Sequence, residues 1–156
     1  MVHHLLLIAI ASTAVAFAQA PRATQPNVTE TKHLTITPSV SQAGGRVSLI
    51  VDIVPKPKMH VYAPEQKDYI PISLTVTTAA GVRAGQPQFP KPEKLYLQAL
   101  KETQFVYSKP FRITQPVTLT KSAALVTIKG TLRYQACDDS ICYLPQTVAV
   151  SWTIAK

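Results

Sequence analysis

The stretch ALVTIKGTLRYQACDDSICYLPQTVAVSWTI, residues 124–154, contains two runs of alternating apolar and polar side chains, separated by a pair of cysteines. The apolar positions are Val126, Ile128, Leu132 and Tyr134 in the first run, and Val148, Val150, Trp152 and Ile154 in the second. Alternation with a period of two is typical of a β-strand with one buried face. The stretch therefore predicts two long strands joined by a short turn that carries both cysteines.

Two further stretches show the same pattern: GRVSLIVDIV at 45–54 and PISLTVTT at 71–78. Proline-rich segments at 54–64 and 85–103 separate such runs, and no stretch has a convincing helical period. Strands with one apolar face form antiparallel sheets that are covered on one side, and several of them at short spacing pack as two layers. The predicted fold class is all-β, an antiparallel β-sandwich.

The start of the chain predicts export. An apolar run from Leu5 to Phe17 ends in Ala18-Gln19-Ala20, the small-residue pattern of a signal-peptidase site, and it is too short to span a bilayer. We expect a signal peptide at 1–20, a flexible segment at 21–31 and one sandwich domain at 32–156. The mature chain is then exported and has no transmembrane segment.

The net charge of +8 comes from basic residues scattered singly along the chain. Because they form no cluster with interleaved aromatic residues, the sequence does not indicate nucleic-acid binding. No cofactor and no metal ion are expected. Met59 and His60, together with the cysteines, include soft ligands that could hold copper, but nothing fixes their spacing.

Cys137 and Cys142 are the candidate chemical groups. The alternation of the first run places Cys137 on the polar face with Arg133 and Gln135, where it should be reachable from solvent. A bridge that closes about six residues contributes only ~2 kcal/mol by loop entropy, against ~4.7 kcal/mol for a loop of about 100 residues. The residues alone do not distinguish a redox-active cysteine pair from an ordinary structural disulfide.

Asp138 and Asp139 place negative charge beside the cysteines, which disfavours the thiolate and should raise the pKa of both thiols. A pair whose thiolate form is disfavoured is expected to be reducing, because oxidants are pairs whose reduced form is stabilised. The sequence therefore favours an electron donor.

The segment TLRYQACDDSICYLPQTVAVSW resembles the signature of the N-terminal periplasmic domain of the DsbD thiol:disulfide interchange protein family. The matching positions are Tyr134, Gln135, Ala136, Cys137, Asp138, Cys142, Tyr143, Pro145, Gln146 and Thr147. Weaker likeness extends upstream through residues 58–62 to Val106 and Tyr107. The turn has four residues between its cysteines where the family member we compare has five, and Leu144 stands where a proline is usual.

The resemblance implies that the sandwich is immunoglobulin-like, and it implies roles for individual residues. Cys142 would form a mixed disulfide with a partner and Cys137 would resolve it. A cap loop would shield the pair in the region 93–103, which has no phenylalanine, unlike the family's cap. The candidate cap residues are Tyr96, Leu97 and Leu100, and the candidate partner-docking residues are Tyr62, Tyr134 and Tyr143.

The resemblance also implies partners: thioredoxin-fold periplasmic proteins and a membrane-embedded thiol reductase, with electrons passing onward to exported acceptors and to cytochrome c maturation. Because the chain ends at Lys156, we expect the electron donor to be a separate protein. The expected activity is that of a thiol:disulfide oxidoreductase. The alternative is a non-catalytic, secreted immunoglobulin-like binding module in which the bridge only stiffens a docking turn.

Overall fold

The computed structural model describes residues 27–77, 80–98, 101–120 and 125–155. The expected signal peptide at 1–20 lies outside these ranges. Within them the chain forms strands only, and no helix is long and apolar enough to cross a membrane. The strands are β1 (Thr29–Glu30), β2 (Leu34–Ala43), β3 (Arg46–Pro55), β4 (His60–Tyr62), β5 (Ser73–Thr77), β6 (Val82–Ala84), β7 (Glu93–Leu97), β8 (Glu102–Tyr107), β9 (Phe111–Leu119), β10 (Leu125–Tyr134), β11 (Ala136–Cys137) and β12 (Gln146–Ala155).

The two runs of the opening stretch are β10 and β12, which pair antiparallel from Leu125 opposite Ala155 to Tyr134 opposite Gln146. With β5 they form a three-stranded sheet in the order β12-β10-β5. A five-stranded sheet, β1-β2-β3-β9-β6, contains the run at 45–54 as β3. The neighbouring strands within both sheets are antiparallel.

The apolar faces of these two sheets meet in one core. Trp152 of β12 is buried, and its indole Nε1 donates a 2.9 Å hydrogen bond to the carbonyl oxygen of Ile50 in β3. A Cβ atom added to Gly130 of β10 would lie 2.7 Å from the carbonyl oxygen of Thr75, so a glycine is needed where these strands and the indole ring meet. The packing confirms the predicted all-β, immunoglobulin-like sandwich.

The N-terminal part of the sandwich starts earlier than the sequence indicated. Residues 27–31 were assigned to a flexible segment, but Thr29 and Glu30 form β1 and pair with Ile36 and Thr35 of β2. The Thr31 hydroxyl also lies 3.0 Å from the hydroxyl of Tyr134. Backbone pairing with an edge strand holds this short segment, although its composition has no apolar alternation.

A third, four-stranded sheet in the order β11-β4-β8-β7 carries both the cysteine turn and the region expected to be a cap loop. Residues 93–97 and 102–107 are not a loop: they pair as the β7–β8 hairpin, from Glu93 opposite Val106 to Leu97 opposite Glu102. The described residues of the region 93–103 are therefore part of a hairpin, and the expectation that this region is a loop is wrong for them. The alternation of Leu95 and Leu97 is typical of a strand, but the lysine and glutamate residues around it make the pattern hard to recognise.

Candidate functional site

The chain leaves one sheet and joins another just before the first cysteine. β10 ends at Tyr134, Gln135 makes the transition, and Ala136 and Cys137 form β11 opposite Val61 and His60 of β4. The alternation of β10 therefore stops at Gln135, and both residues of β11 are buried. Cys137 is only 1% exposed, so the prediction that it would be reachable is wrong.

Cys137 and Cys142 form a disulfide, and the turn between them is held by its own hydrogen bonds. The amide of Asp138 donates to the carbonyl oxygen of Ile141 at 2.9 Å. The Asp138 carboxylate accepts hydrogen bonds from the amides of Ser140 and Ile141, at 2.7 and 2.8 Å. An aspartate that bonds the backbone two and three residues ahead specifies a tight turn, which explains how four residues bring the sulfurs together.

The two sulfurs differ in access. Cys142 is exposed at the far side of the turn, whereas Cys137 lies in a buried cluster with Tyr62 and Val106. An incoming thiolate must approach one sulfur in line with the bond that breaks, and of the two residues only Cys142 is exposed to solvent. The geometry therefore allows attack at Cys142 with Cys137 as the leaving group.

Tyr62 lies directly beneath the disulfide. Its hydroxyl oxygen is 3.3 Å from Cys142 Sγ and 3.4 Å from Cys137 Sγ, and the hydroxyl is the donor because disulfide sulfurs carry no hydrogen. The ring stacks on Tyr69 at a centroid distance of 4.4 Å, and the Tyr69 hydroxyl donates to the carboxylate of Glu102. Burial raises the pKa of Tyr62 to about 12, so the hydroxyl keeps its proton at neutral pH.

A pocket of about 370 Å³ opens beside the disulfide, between the cysteine turn, β4 and the β7–β8 hairpin. Leu97, a predicted cap residue, lines it. Tyr96 points the other way and is 60% exposed, because neighbouring residues of a strand face opposite sides. Leu95, which the sequence analysis missed, shares the face of Leu97 and packs against the buried cluster that contains Cys137. Leu100 lies outside the described residues.

The tyrosines expected to dock a partner are mostly internal. Tyr62 and Tyr134 are 1% and 0% exposed, so neither can form a docking surface in this state. Tyr134 serves the core instead, because its hydroxyl donates to Gln146 at 2.7 Å. Tyr143 is half-buried: its ring packs on His33 and its hydroxyl donates to the Asp138 carboxylate at 2.8 Å.

Two large apolar side chains are exposed around Cys142. Ile141 precedes it and is 55% exposed, and Leu144 follows two residues later and is 86% exposed. In the sequence, Leu144 stands out only as a departure from the family pattern. Apolar side chains beside a reactive sulfur suit contact with a protein partner, which would bury them.

The negative charge expected near the sulfurs is present. Asp138 and Asp139 both line the disulfide pocket. Hydrogen bonds from the amides of Ile141 and Ser140 and from the Tyr143 hydroxyl lower the pKa of Asp138, so its carboxylate stays ionised. Asp138 thus organises the turn as well as placing charge beside the pair.

His60 also lines the pocket, and the sequence analysis had considered it only as a possible copper ligand. It is 3% exposed and lies directly opposite Cys137 in the β4–β11 pairing. Among the described residues, no three His, Cys, Asp or Glu side chains converge in a way that could hold a metal ion. The sequence could not reveal this placement, because a single histidine in a strand of only three residues forms no recognisable pattern.

A larger groove of about 640 Å³ lies at the other end of the sandwich, where Arg46, Val117 and Ile154 are among its lining residues. Its described lining contains no His, Cys, Asp or Glu side chain. Of these two cavities, the disulfide pocket is the one whose described lining carries His, Cys and Asp side chains.

Comparison with known proteins identifies one family. The family model described as "Thiol:disulfide interchange protein DsbD, N-terminal" matches residues 25–153. No curated protein is similar enough in sequence to count as a match.

Three solved structures are similar to the chain. The N-terminal periplasmic domain of ScsB from Proteus mirabilis has a TM-score of 0.56 at 13% identity, with 81% of this chain and 49% of that chain covered. The reduced DsbD N-terminal domain of Neisseria meningitidis has a TM-score of 0.48 at 22% identity over 78% of this chain and 85% of that chain. The complex between the DsbD and PilB N-terminal domains of N. meningitidis has a TM-score of 0.48 at 22% identity, with 73% of this chain and 79% of that chain covered. At these identities the likeness to ScsB shows the shared fold.

Proposed function

The chain belongs to the family of N-terminal domains of the thiol:disulfide interchange protein DsbD, and on this premise we propose that it relays electrons through Cys137 and Cys142 in the periplasm. The observation that carries the proposal is the asymmetric disulfide, in which Cys142 is an exposed residue and Cys137 is a buried one. A bridge with one exposed cysteine over a short loop suits exchange better than stabilisation.

The proposed reaction proceeds through a mixed disulfide. A thiolate of a reduced donor attacks Cys142 Sγ, the Cys137–Cys142 bond breaks, and Cys137 leaves as a thiolate that takes up a proton. The donor's second thiolate then attacks the donor sulfur of the mixed disulfide and releases Cys142. Two electrons and two protons have passed to this chain, and the donor holds a disulfide. The same steps in reverse order reduce an acceptor.

The proposed partners are thioredoxin-fold periplasmic proteins and, upstream, a membrane-embedded thiol reductase. Family membership and the exposed Cys142 support this choice. The proposal is tested by mixing the oxidised protein with a reduced thioredoxin-fold protein and following dithiol formation, and by measuring the reduction potential. A potential near the oxidant end of the scale, about −120 mV, would overturn the donor direction.

We propose that the exposed side chains beside Cys142 form the docking contact, in place of the buried tyrosines. Replacing Leu144 by Glu should slow exchange with a protein partner about tenfold or more, because a charge would enter an interface that buries the leucine. The rate of reduction by a small thiol such as dithiothreitol should not change. The measurement is the second-order rate constant with each reductant.

Leu125 provides the matched control, because it is an exposed leucine. It is the first residue of β10, and the disulfide lies beyond the other end of that strand. The Leu125→Glu variant should exchange at the wild-type rate. Equal slowing of both variants would point to a general charge effect and remove Leu144 from the docking surface.

We also propose that Leu97 acts as the cap, since it lines the disulfide pocket from the β7–β8 hairpin. Replacing Leu97 by Ala should open the pocket and speed the reduction of the disulfide by dithiothreitol several-fold. Tyr96→Ala, next along the same strand but facing outward, should leave that rate unchanged. Identical rates in both variants would exclude shielding by the hairpin.

The charge of Asp139 should tune the thiols. In the Asp139→Asn variant we expect the thiolate form of Cys142 in the reduced protein to be more favoured, because a nearby negative charge no longer opposes it. Alkylation of Cys142 at neutral pH should then be about twofold faster, and the difference should shrink in high salt. An unchanged alkylation rate at low salt would remove Asp139 from the tuning groups.

A further inference from the structure

His60 and Cys137 face each other across two strands. They are paired residues of β4 and β11, so their side chains lie on the same face of the sheet with Cβ atoms roughly 4.5–5.5 Å apart. Both side chains line the disulfide pocket, and both are almost completely buried. In the pairing of β4 with β11, the imidazole of His60 is therefore the basic side chain directly opposite Cys137. The sulfur of Cys137 is the one whose bond to Cys142 breaks and forms again during exchange.

One nitrogen of this imidazole has no partner. In the described part of the chain, His60 Nε2 is buried and makes no hydrogen bond while the cysteines are bridged. Buried polar atoms in native proteins are nearly always paired, so an orphan nitrogen beside a redox group calls for an explanation. Reduction supplies one, because the Cys137 thiol brings a proton into the pocket that the disulfide lacks.

The surroundings keep the imidazole neutral at physiological pH. Burial lowers the pKa of His60, and the charges of Asp139 and Asp138 oppose this only in part. The edge of Tyr62 faces the ring at a centroid distance of 5.9 Å, and its hydroxyl stays protonated. From the other elements around the pocket come Tyr69, whose hydroxyl is bonded to Glu102, and the uncharged side chains of Leu97, Gln98 and Gln104.

We propose that His60 accepts the proton of the Cys137 thiol when Cys137 resolves a mixed disulfide at Cys142. A buried thiol cannot lose its proton directly to water, so a neutral base opposite it removes the obstacle. Cys137 Sγ then attacks Cys142 Sγ, the intramolecular disulfide forms, and the acceptor sulfur leaves with the bonding electron pair. The proton held by His60 passes to that thiolate or to water. In the opposite direction, protonated His60 returns the proton to the departing Cys137.

This role rests on the proposed exchange at Cys142, and the experiment separates the two. The reduced protein is mixed with dipyridyl disulfide, whose pyridinethione product absorbs light. A first molecule is released when Cys142 forms the mixed disulfide, and a second when Cys137 resolves it. Loss of the first phase in the wild type would overturn the exchange itself, whereas the second phase reports on His60.

In the His60→Gln variant, the second phase at neutral pH should fall at least about tenfold while the first changes less than about twofold, since a positioned base contributes typically 10²–10⁴-fold. In the wild type, the rate of the second phase should rise with pH and level off above the pKa of His60. Burial places that pKa below the ordinary value for histidine. The variant should lose this plateau and keep rising with pH.

His33→Gln is the matched control, because His33 is also 3% exposed with unpartnered nitrogens but lies against Tyr143, outside the disulfide pocket. It should leave the second phase unchanged. Equal second phases in the wild type and the His60→Gln variant would overturn the proposal, and so would equal slowing in both variants. Should the His60→Gln variant fail to fold, the wild-type profile still decides: a second phase that rises tenfold per pH unit without a break overturns it.

Discussion

Replacing Cys142 by Ser is expected to abolish exchange with a protein partner, lowering the rate by at least about a thousandfold. The reason is access: Cys142 is the exposed cysteine of the pair, whereas Cys137 is only 1% exposed. The remaining Cys137 thiol lies in a buried cluster with Tyr62 and Val106, so an incoming disulfide cannot reach it. The measurement is dithiol transfer between the variant and a thioredoxin-fold protein.

The Cys137→Ser variant is the matched comparison, because it removes the other sulfur of the same bridge. It should also fail to turn over, but it should accumulate a stable mixed disulfide through Cys142, since the resolving thiol is gone. Mass spectrometry of the trapped species then identifies the partner. Trapping through Cys137 in the Cys142→Ser variant, with none in Cys137→Ser, would reverse the proposed roles.

The same pair of variants separates the relay from a binding module. If the bridge only stiffened a docking turn, both variants would lose the same restraint and would keep similar affinity for a partner, with no covalent adduct. The structure favours the relay because the turn is already held by the hydrogen bonds of Asp138 to Ser140 and Ile141. A turn that its own side chain organises depends less on a disulfide for its shape.

Replacing Tyr62 by Ala should lower the free energy of unfolding by about 3–5 kcal/mol, the usual cost of truncating a buried aromatic side chain. The ring is fully buried, stacks on Tyr69 and supports both sulfurs from below. The cavity would also open a path to Cys137. Urea unfolding of the oxidised protein measures the first effect, and alkylation of Cys137 after reduction measures the second.

Two tyrosine variants control for this result. Tyr62→Phe keeps the ring and removes only the hydroxyl, so it should cost about 1 kcal/mol or less. Tyr96→Ala removes a ring that is 60% exposed and should change stability by about 0.5 kcal/mol or less. A Tyr62→Ala protein as stable as the Tyr96→Ala protein would show that the ring under the disulfide contributes no packing.

The long strands could be predicted because their pattern is local. Val126, Ile128 and Leu132 alternate with polar residues over a stretch long enough that only a half-buried strand accounts for them, and the structure places them in β10. The hairpin at 93–107 could not be recognised in the same way. Its strand β7 has five residues, and the Leu95/Leu97 alternation is too short to stand out among flanking prolines and charges.

The amino-acid sequence by itself determined the sandwich, the identity of the cysteine pair and the tight turn between them, because each depends on residues close together along the chain. Only the tertiary structure decided which cysteine is exposed. A switch of sheets at Gln135 turns Cys137 inward, and pairing with β4 then sets His60 opposite it and Tyr62 beneath the bridge. Contacts between residues more than seventy positions apart depend on how the sheets pack, which no local pattern specifies.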